Sequence, residues 1–324
     1  MKLDEKAVQD IGALITRANR ILIIPHKLPD GDTLGAALAL YQTFKEMGKA
    51  PEVVCLDPPA EVFAFMPNIE IVQVGEPRLE HEAYFILDAG ATHLTGFNET
   101  HPQLFDKSLP VVNIDHHPTN EFYGKYNIVI PKAASTTAIL FELLSALKIP
   151  IGRQTATCLL TGLYTDTGSF QHSNTTSEVL RIAGKLLARG ANVRTIAKDI
   201  FNTTKISTMR LWGRVLKNID QTDENVTISV ITEKDFKDCQ ANYDEVTGVV
   251  DYVNSVPGAP YSVILTERDG KVKGSMRTLQ EDMDVAAIAA NYGGGGHTKA
   301  AGFTVPGHLE REVRWKVVET TEIE

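Results

Sequence analysis

Short apolar, β-branched runs that alternate with helical or turn segments constrain this chain more than any other feature. The runs are Ile21 to Pro25, Glu52 to Leu56, Glu70 to Val74, Tyr84 to Leu87, Val111 to Ile114 and Asn127 to Ile130. Each is short and bounded by turn residues, and reads as a buried strand. An amphipathic helix over Asp4 to Arg20 precedes the first run, and a second helix from about Thr33 to Met47 follows it. Strands alternating with helices predict an α/β fold built on a mainly parallel sheet covered on both faces. Sheets of that kind bind ligands in the loops at the carboxyl ends of their strands.

From Ser135 the pattern turns helical, with apolar residues at three- and four-residue spacing over Thr136 to Leu147, Gln154 to Thr165, Ser177 to Arg189 and Val193 to Phe201. A further helical stretch, Ile206 to Ile219, reads as a connector. After the polar turn Gln221 to Asn225 come a strand at Val226 to Ile231, a helix near Tyr243 to Val253, two strands around Gly270 and a glycine cluster at Gly293 to Gly296. The chain's 324 residues exceed the size at which one core keeps growing. The expected organisation is therefore a first domain over 1–190, a helical connector over 191–219 and a smaller α/β C-terminal domain over 220–324, with a cleft between the two domains. Leu309 to Glu324 reads as a charged helix.

Apolar residues make up 43% and charged residues 23% of the chain, ordinary values for a folded protein. No run is long and apolar enough for a membrane span, and the N-terminal residues lack a basic region followed by an apolar core, so a cytoplasmic protein without membrane contact is expected. Cys55, Cys158 and Cys239 are odd in number and widely spaced, which fits buried free thiols. A net charge of −9 counts against binding to long duplex nucleic acid, which needs an excess of Lys and Arg. It leaves room for a short phosphorylated substrate.

The chemistry concentrates at strand ends. His26-Lys27-Leu28-Pro29-Asp30-Gly31-Asp32 places one imidazole and two carboxylates in a bent loop after a buried strand, a pattern that also fits a solvated turn with a capping Asp32. Asp115-His116-His117 follows another strand and precedes Pro118. Asp88 ends Tyr-Phe-Ile-Leu-Asp, and Asp166 lies in Leu-Tyr-Thr-Asp-Thr-Gly, where a helix could end. Each alone reads as a cap. Together, four such elements would crowd carboxylates at one sheet edge, and divalent cations resolve that repulsion. Two ions about 3.5 to 4 Å apart would clamp a phosphate and activate a water.

On these residues the chain resembles the DHH phosphoesterase superfamily, which includes RecJ exonucleases, nano-RNases with phosphoadenosine phosphate phosphatase activity, cyclic dinucleotide phosphodiesterases and family II pyrophosphatases. Asp115-His116-His117 is the signature that carries the name, and His26, Asp30, Asp32, Asp88, His116 and Asp166 match the family's metal ligands in order. The resemblance implies one metal on His26, Asp30 and Asp88, and another on Asp32, Asp88, His116 and Asp166, with Asp88 bridging. It also implies that His117 contacts the phosphate or protonates the leaving group, while Asp115 orients an imidazole. Mixed imidazole and carboxylate ligands suit two manganese ions, and the implied chemistry is a two-metal hydroxide mechanism.

Gly293-Gly294-Gly295-Gly296-His297, followed by Thr298 to Gly302, offers a backbone that a ligand can approach closely and amides that can face an anion. The segment resembles the Gly-rich motif of the C-terminal domain in RecJ-like and nano-RNase-like members, and Arg277 in Gly-Ser-Met-Arg matches that domain's phosphate-binding arginine. Family II pyrophosphatases lack this pattern. The implied enzyme hydrolyses short 5′-phosphorylated oligonucleotides or a 3′,5′-nucleotide bisphosphate, with a terminal phosphate on Arg277, Gly295, Gly296 and His297. A soluble cyclic or linear dinucleotide phosphodiesterase is the alternative enzyme. A nucleotide-binding regulator without catalysis is the non-enzyme alternative, and its mark would be a missing ligand.

Overall fold

The computed structural model describes residues 1–201, 205–310 and 312. It divides into two units, Met1–Thr203 and Thr204–Glu324. The first unit runs α1 (Glu5–Arg17), β1 (Arg20–Pro25), α2 (Gly31–Glu46), β2 (Ala50–Cys55), β3 (Val72–Val74), β4 (Ala83–Leu87), β5 (Val111–Asp115), β6 (Tyr126–Val129), α3 (Thr136–Ala146), α4 (Arg153–Asp166), α5 (Ser177–Ala188) and α6 (Val193–Phe201). The six strands form one sheet in the order β3-β2-β1-β4-β5-β6, and every neighbouring pair is parallel.

Strand periodicity sorts the core into two layers. Ile21, Ile23, Phe85 and Leu87 face the helices and pack with Leu34, Leu38 and Leu163. Leu22, Ile24, Tyr84 and Ile86 face the other way, onto Phe97, Leu104 and Tyr123. The chain after β2 returns on the helical face through Phe63 and Met66, whereas the chain after β4 returns on the opposite face through short 3-10 turns and loops. Right-handed crossovers require this, because the strand order reverses direction between β1 and β4. The sheet is thus covered on both faces, but by helices on one only.

Local capping sets the helix ends. Asp4 caps α1 by accepting from the Ala7 amide, and the helix stops at Arg17, short of the expected Arg20, because Ala18 is extended and β1 begins. Ile11, Leu14 and Ile15 hold α1 to the core, each stabilising by about 1.5–3 kcal/mol. Cys55, Cys158 and Cys239 are buried and free.

The second unit runs α7 (Ile206–Lys217), β7 (Asp220–Gln221), β8 (Thr227–Ile231), α8 (Glu233–Cys239), α9 (Val249–Val253), β9 (Ser262–Arg268), β10 (Lys271–Arg277), α10 (Val285–Ala290), β11 (Gly295–His297) and β12 (Ala300–Pro306). Its sheet has the order β11-β12-β10-β9-β8-β7. β8 and β9 are parallel and the other pairs antiparallel. Leu211, Val215, Phe236 and Val253 pack on one face against Ile231 and Ile264, while Val285 and Ala289 of α10 cover Met276 and Ala301 on the other.

Several expectations change. The helix expected over Tyr243 to Val253 is a 3-10 turn, Tyr243–Val246, followed by α9. The break falls at Gly248, whose φ of 94° and close approach to Trp212 leave no place for a side chain. Helix α8, started by a capping box between Thr232 and Asp235, lies where the sequence reading placed none. The stretch read as a connector is divided: Ile196 of α6 is buried in the first unit's core, and Leu211 and Val215 of α7 belong to the second. Leu309 and Glu310 are not helical, and the rest of the charged helix expected at Leu309 to Glu324 lies, except for residue 312, outside the described residues. Among the described residues, no helix is long and apolar enough to cross a membrane.

Candidate metal centre

Reversal of strand order between β1 and β4 opens a crevice at their carboxyl ends, the position at which open α/β sheets bind ligands. His26 follows β1 directly, and Asp88 follows β4. Asp115 ends β5, with His116 and His117 beyond it, and Asp166 closes α4. Asp30 caps α2 through hydrogen bonds from the Asp32 and Thr33 amides, both at 3.0 Å. The cap is therefore Asp30, and Asp32 is freed to point inward, where it is buried.

Among the described residues, three groups of side chains bring ligand atoms within 4.8 Å of one another: His26, Asp30 and Asp88; Asp32, His116 and Asp166; and Asp88, His116 and His117. Asp88 faces both ways. Its Oδ2 lies 3.6 Å from His26 Nε2 and its Oδ1 lies 3.5 Å from His116 Nε2. His26 Nε2 is also 3.6 Å from Asp30 Oδ1, and His116 Nε2 is 3.4 Å from Asp166 Oδ2. The opposite ring nitrogens face backbone carbonyls, His26 Nδ1 that of Lys27 at 2.8 Å and His116 Nδ1 that of Ala133 at 3.3 Å. Donation there leaves both Nε2 atoms turned to the carboxylates, as ligation requires.

His117 differs. Its Nδ1 donates to Asp115 Oδ1 at 2.7 Å, so that nitrogen is not free to ligate. Asp115 is fully buried and is held by the His116 amide at 2.8 Å and by Asn120 Nδ2 at 2.6 Å. The Asp115 hydrogen bond, working against burial, lifts the His117 imidazole to about 9, so it carries a proton at neutral pH and can donate it to a phosphoryl oxygen or a leaving group.

The same crowding raises the hold of His26, Asp32 and Asp166 on their protons, while hydrogen bonds and attraction from His26 outweigh burial at Asp30 and lower its hold. Burial disfavours charge on His26, yet hydrogen bonds and attraction from Asp30 and Asp88 outweigh it and lift the imidazole to about 10. Burial and then the nearby Asp88 raise Asp32 well above the usual carboxylate range and Asp166 to about 7. The set fits two divalent cations by its donor chemistry, since mixed imidazole and carboxylate groups converge from opposite sides on one shared carboxylate. Cations binding there must displace the protons on His26 and Asp166. Apparent metal affinity is expected to rise by about tenfold or more from about pH 6 to about pH 8, with protons released; calorimetric titration in buffers of different ionisation heat checks it, and a pH-independent affinity would contradict it.

Outer partners complete the site, and the sequence reading missed them. At the start of α3, the Thr136 amide donates to Asp32 Oδ2 at 2.6 Å, and the Thr137 amide and hydroxyl donate to Asp32 Oδ1 at 3.0 and 2.7 Å. The Thr136 hydroxyl donates to Asp88 Oδ1 at 2.8 Å. Asn174 Nδ2 ties the Ala134 and Asp166 carbonyls together. A run of three hydroxyl residues, Ser135 to Thr137, before an apolar helix was the available signal. Thr137→Val, close to isosteric, is expected to weaken metal binding by about 10–100-fold while the fold persists, as measured by metal titration alongside circular dichroism; unaltered affinity would deny Thr137 this role.

His26, Asp30, Asp88, His116, His117 and Asp166 line a cavity of about 310 Å³, together with Lys27, Leu28 and Leu94. In the second unit the structure places Arg277, Ala300 and His297 in register across β10, β12 and β11. Gly296 pairs with Ala301 and Gly295 with Gly302. Paired residues share a face, so Arg277 and His297 look to the same side. The glycine cluster thus ends in an edge strand. Gly296, at φ 143°, would press any Cβ to 2.6 Å from the Ala300 carbonyl oxygen.

Known proteins resemble this chain over most of its length. The model for the DHH family, N-terminal domain, matches residues 20–163, and that for the DHHA1 domain matches residues 223–320. The chain is 34% identical, over 89% of its length and 84% of the relative's, to the bifunctional oligoribonuclease and PAP phosphatase NrnA of Thermus thermophilus. It is 28% identical to the protein of the same name from Mycoplasma genitalium, over 89% of each chain. Among solved structures, an exopolyphosphatase-related protein from Bacteroides fragilis superposes with a TM-score of 0.85 at 24% identity, over 96% of this chain and 93% of that one, which shows the shared fold.

Proposed function

Because the chain belongs to the DHH family and is a phosphoesterase, we propose that it hydrolyses short 5′-phosphorylated oligonucleotides and 3′,5′-nucleotide bisphosphates in the cytoplasm, as an exonuclease dependent on two manganese ions. The observation that carries this reading is the convergence of His26, Asp30, Asp32, His116 and Asp166 around Asp88, whose two oxygens face His26 and His116, with His117 hydrogen-bonded to Asp115 beside them. The relatives named for oligoribonuclease and PAP phosphatase activity, similar over nearly their full length, support the substrate class.

His26, Asp30 and Asp88 would hold one ion, and Asp32, Asp88, His116 and Asp166 the other. Divalent cations at such a site polarise a phosphoryl oxygen and lower the pKa of water. The chain's own groups do the rest. Asp115, clamped by Asn120 and the His116 amide, holds Nδ1–H and so fixes the orientation of the His117 ring, and the protonated ring directs its Nε2–H at the phosphate or leaving oxygen. Arg277, Gly295, Gly296 and His297 of the second unit supply a guanidinium, backbone amides and an imidazole for a terminal phosphate.

The test is product analysis with manganese-loaded protein and a panel of 5′-phosphorylated RNAs of graded length, 3′,5′-phosphoadenosine phosphate, a cyclic dinucleotide and pyrophosphate. Mononucleotides from the shortest RNAs and phosphate from the bisphosphate are expected; preference for the cyclic dinucleotide, or no turnover, would sink the proposal. Arg277→Ala is expected to raise KM by about 10–100-fold, the loss of a charge-assisted hydrogen-bonded pair, with metal content unchanged. Loss of metal in that variant would show that Arg277 acts otherwise.

A further inference from the structure

The second unit carries a pocket of about 510 Å³ that includes Arg277 of the terminal-phosphate site and extends from it along β10 to Lys273. One wall is the exposed side of β10, where Lys273, Ser275 and Arg277 share a face by the two-residue period of a strand. The other wall is the Tyr243–Val246 turn with Gly248, Val250 and Asp251. Arg268 lies at the rim, its guanidinium 4.5 Å from the Tyr243 ring centroid and 3.1 Å from Asp269.

Arg277 and Lys273 stand four residues apart on this wall, about 13–14 Å along an extended strand. Both side chains are long, and the flexible stem of Lys273 lets its ammonium reach a phosphoryl group next to one held by Arg277. Arg277 spends one N–H on the Met276 carbonyl at 2.9 Å, and its fork retains donors for an anion. The Lys273 ammonium is exposed and has no ion-pair or hydrogen-bond partner among the described residues. Asp244 and Asp251 line the pocket from the other wall, and neither forms an ion pair with Lys273. Their negative charge disfavours an anion on that wall relative to the strand side. The pocket therefore presents two separated cations on one edge, with the Ser275 hydroxyl midway between them.

We infer that this pocket binds a second phosphoryl group of the substrate, with Lys273 as its contact, beyond the group held by Arg277. The inference rests on the proposed function, in which Arg277 takes a terminal phosphate. The second phosphoryl group has two chemical sources, the next internucleotide phosphate of a longer oligonucleotide or the outer phosphates of a 5′-triphosphate end. In either case Lys273 selects among substrates by charge distribution, while the metal centre performs the same hydrolysis on all of them.

The experiment measures kcat/KM of the full chain and of Lys273→Gln on a 5′-monophosphorylated dinucleotide, a 5′-monophosphorylated trinucleotide and a 5′-triphosphorylated dinucleotide. In Lys273→Gln, kcat/KM for the trinucleotide or the triphosphorylated dinucleotide, taken relative to the monophosphorylated dinucleotide, is expected to fall about tenfold, with Lys273→Arg restoring most of it. The arm that falls identifies the source of the second phosphate. Equal changes on all three substrates, or none on any, would overturn the inference. If the unsubstituted chain hydrolyses none of them, the proposed function has failed, and the pocket is judged by calorimetric binding of inorganic tripolyphosphate to the full chain. A tenfold weaker affinity in Lys273→Gln then supports the site, and equal affinity rejects it.

Discussion

Asp88→Asn is expected to remove both turnover and the paired metal ions while leaving the fold intact. Asp88 sits at φ 59° directly after β4, in the left-handed region that Asn and Asp tolerate best among residues with a side chain. Asparagine therefore keeps the backbone, and its amide oxygen can still accept from the Thr136 hydroxyl. What it loses is the charge and one of the two oxygens that face His26 and His116. Losing an outer partner of a ligand costs about 10–100-fold, so losing the shared ligand is expected to cost at least about a thousandfold in turnover. Alanine would confound that measurement with backbone strain. Metal analysis after dialysis, with circular dichroism as the fold control, decides the matter: an Asp88→Asn protein that keeps two ions and normal turnover would remove the basis of the two-metal site.

Gly35→Ala is expected to destabilise the first unit by forcing two of its helices apart. A Cβ at Gly35 of α2 would lie 2.6 Å from the Cys158 carbonyl oxygen, 3.1 Å from the Gly162 nitrogen and 3.2 Å from Thr137 Cγ2. The first two are backbone atoms of α4, so no rotamer change relieves the contact and the helices must part. Gly162 mirrors it, its Cβ position lying 2.6 Å from Asp32 Oδ1. Overpacking of this kind costs about 1–3 kcal/mol, more than the roughly 1 kcal/mol that replacing a helical glycine by alanine returns. Parting α2 from α4 also moves Asp32 away from Thr136 and Thr137, so metal affinity should fall together with stability. Gly184→Ala in α5, where an added Cβ meets nothing within 4 Å, is the control and should be stabilised by up to about 1 kcal/mol. Denaturant midpoints of the two variants, with a metal titration of each, make the comparison. Equal stability would show that the α2–α4 contact is not close-packed in solution.

The sequence by itself determined most of the elements and which acidic and imidazole side chains stand at their ends. Runs such as Ile21 to Pro25 and Tyr84 to Leu87 have the length and composition of buried strands, and the structure has β1 and β4 there. Such patterns are legible because periodicity and turn residues are local properties of the chain. His26, Asp30, Asp32, Asp88, Asp115, His116, His117 and Asp166 were legible for the same reason, each standing next to the end of a strand or helix. Where local signals conflicted, legibility failed. The stretch Tyr243 to Val253 has helical spacing, but Gly248 at positive φ and the packing of Trp212 break it into a 3-10 turn and the short helix α9.

Only the tertiary structure decided what those residues do together. Nothing local to Asp32 says that it is buried and bonded to Thr136 and Thr137, 104 and 105 residues away. Nothing local to Asp88 says that its two oxygens face imidazoles from two different loops. Gly35 and Gly162 look in sequence like weak points of their helices, and only the crossing of α2 on α4 shows that a side chain has no room there. Lys273 is one exposed lysine among many until β10 places it on the same face as Arg277. Side-chain type and local periodicity are written in neighbouring residues, whereas convergence depends on strand order, register and helix crossing, which contacts far apart in the chain settle jointly.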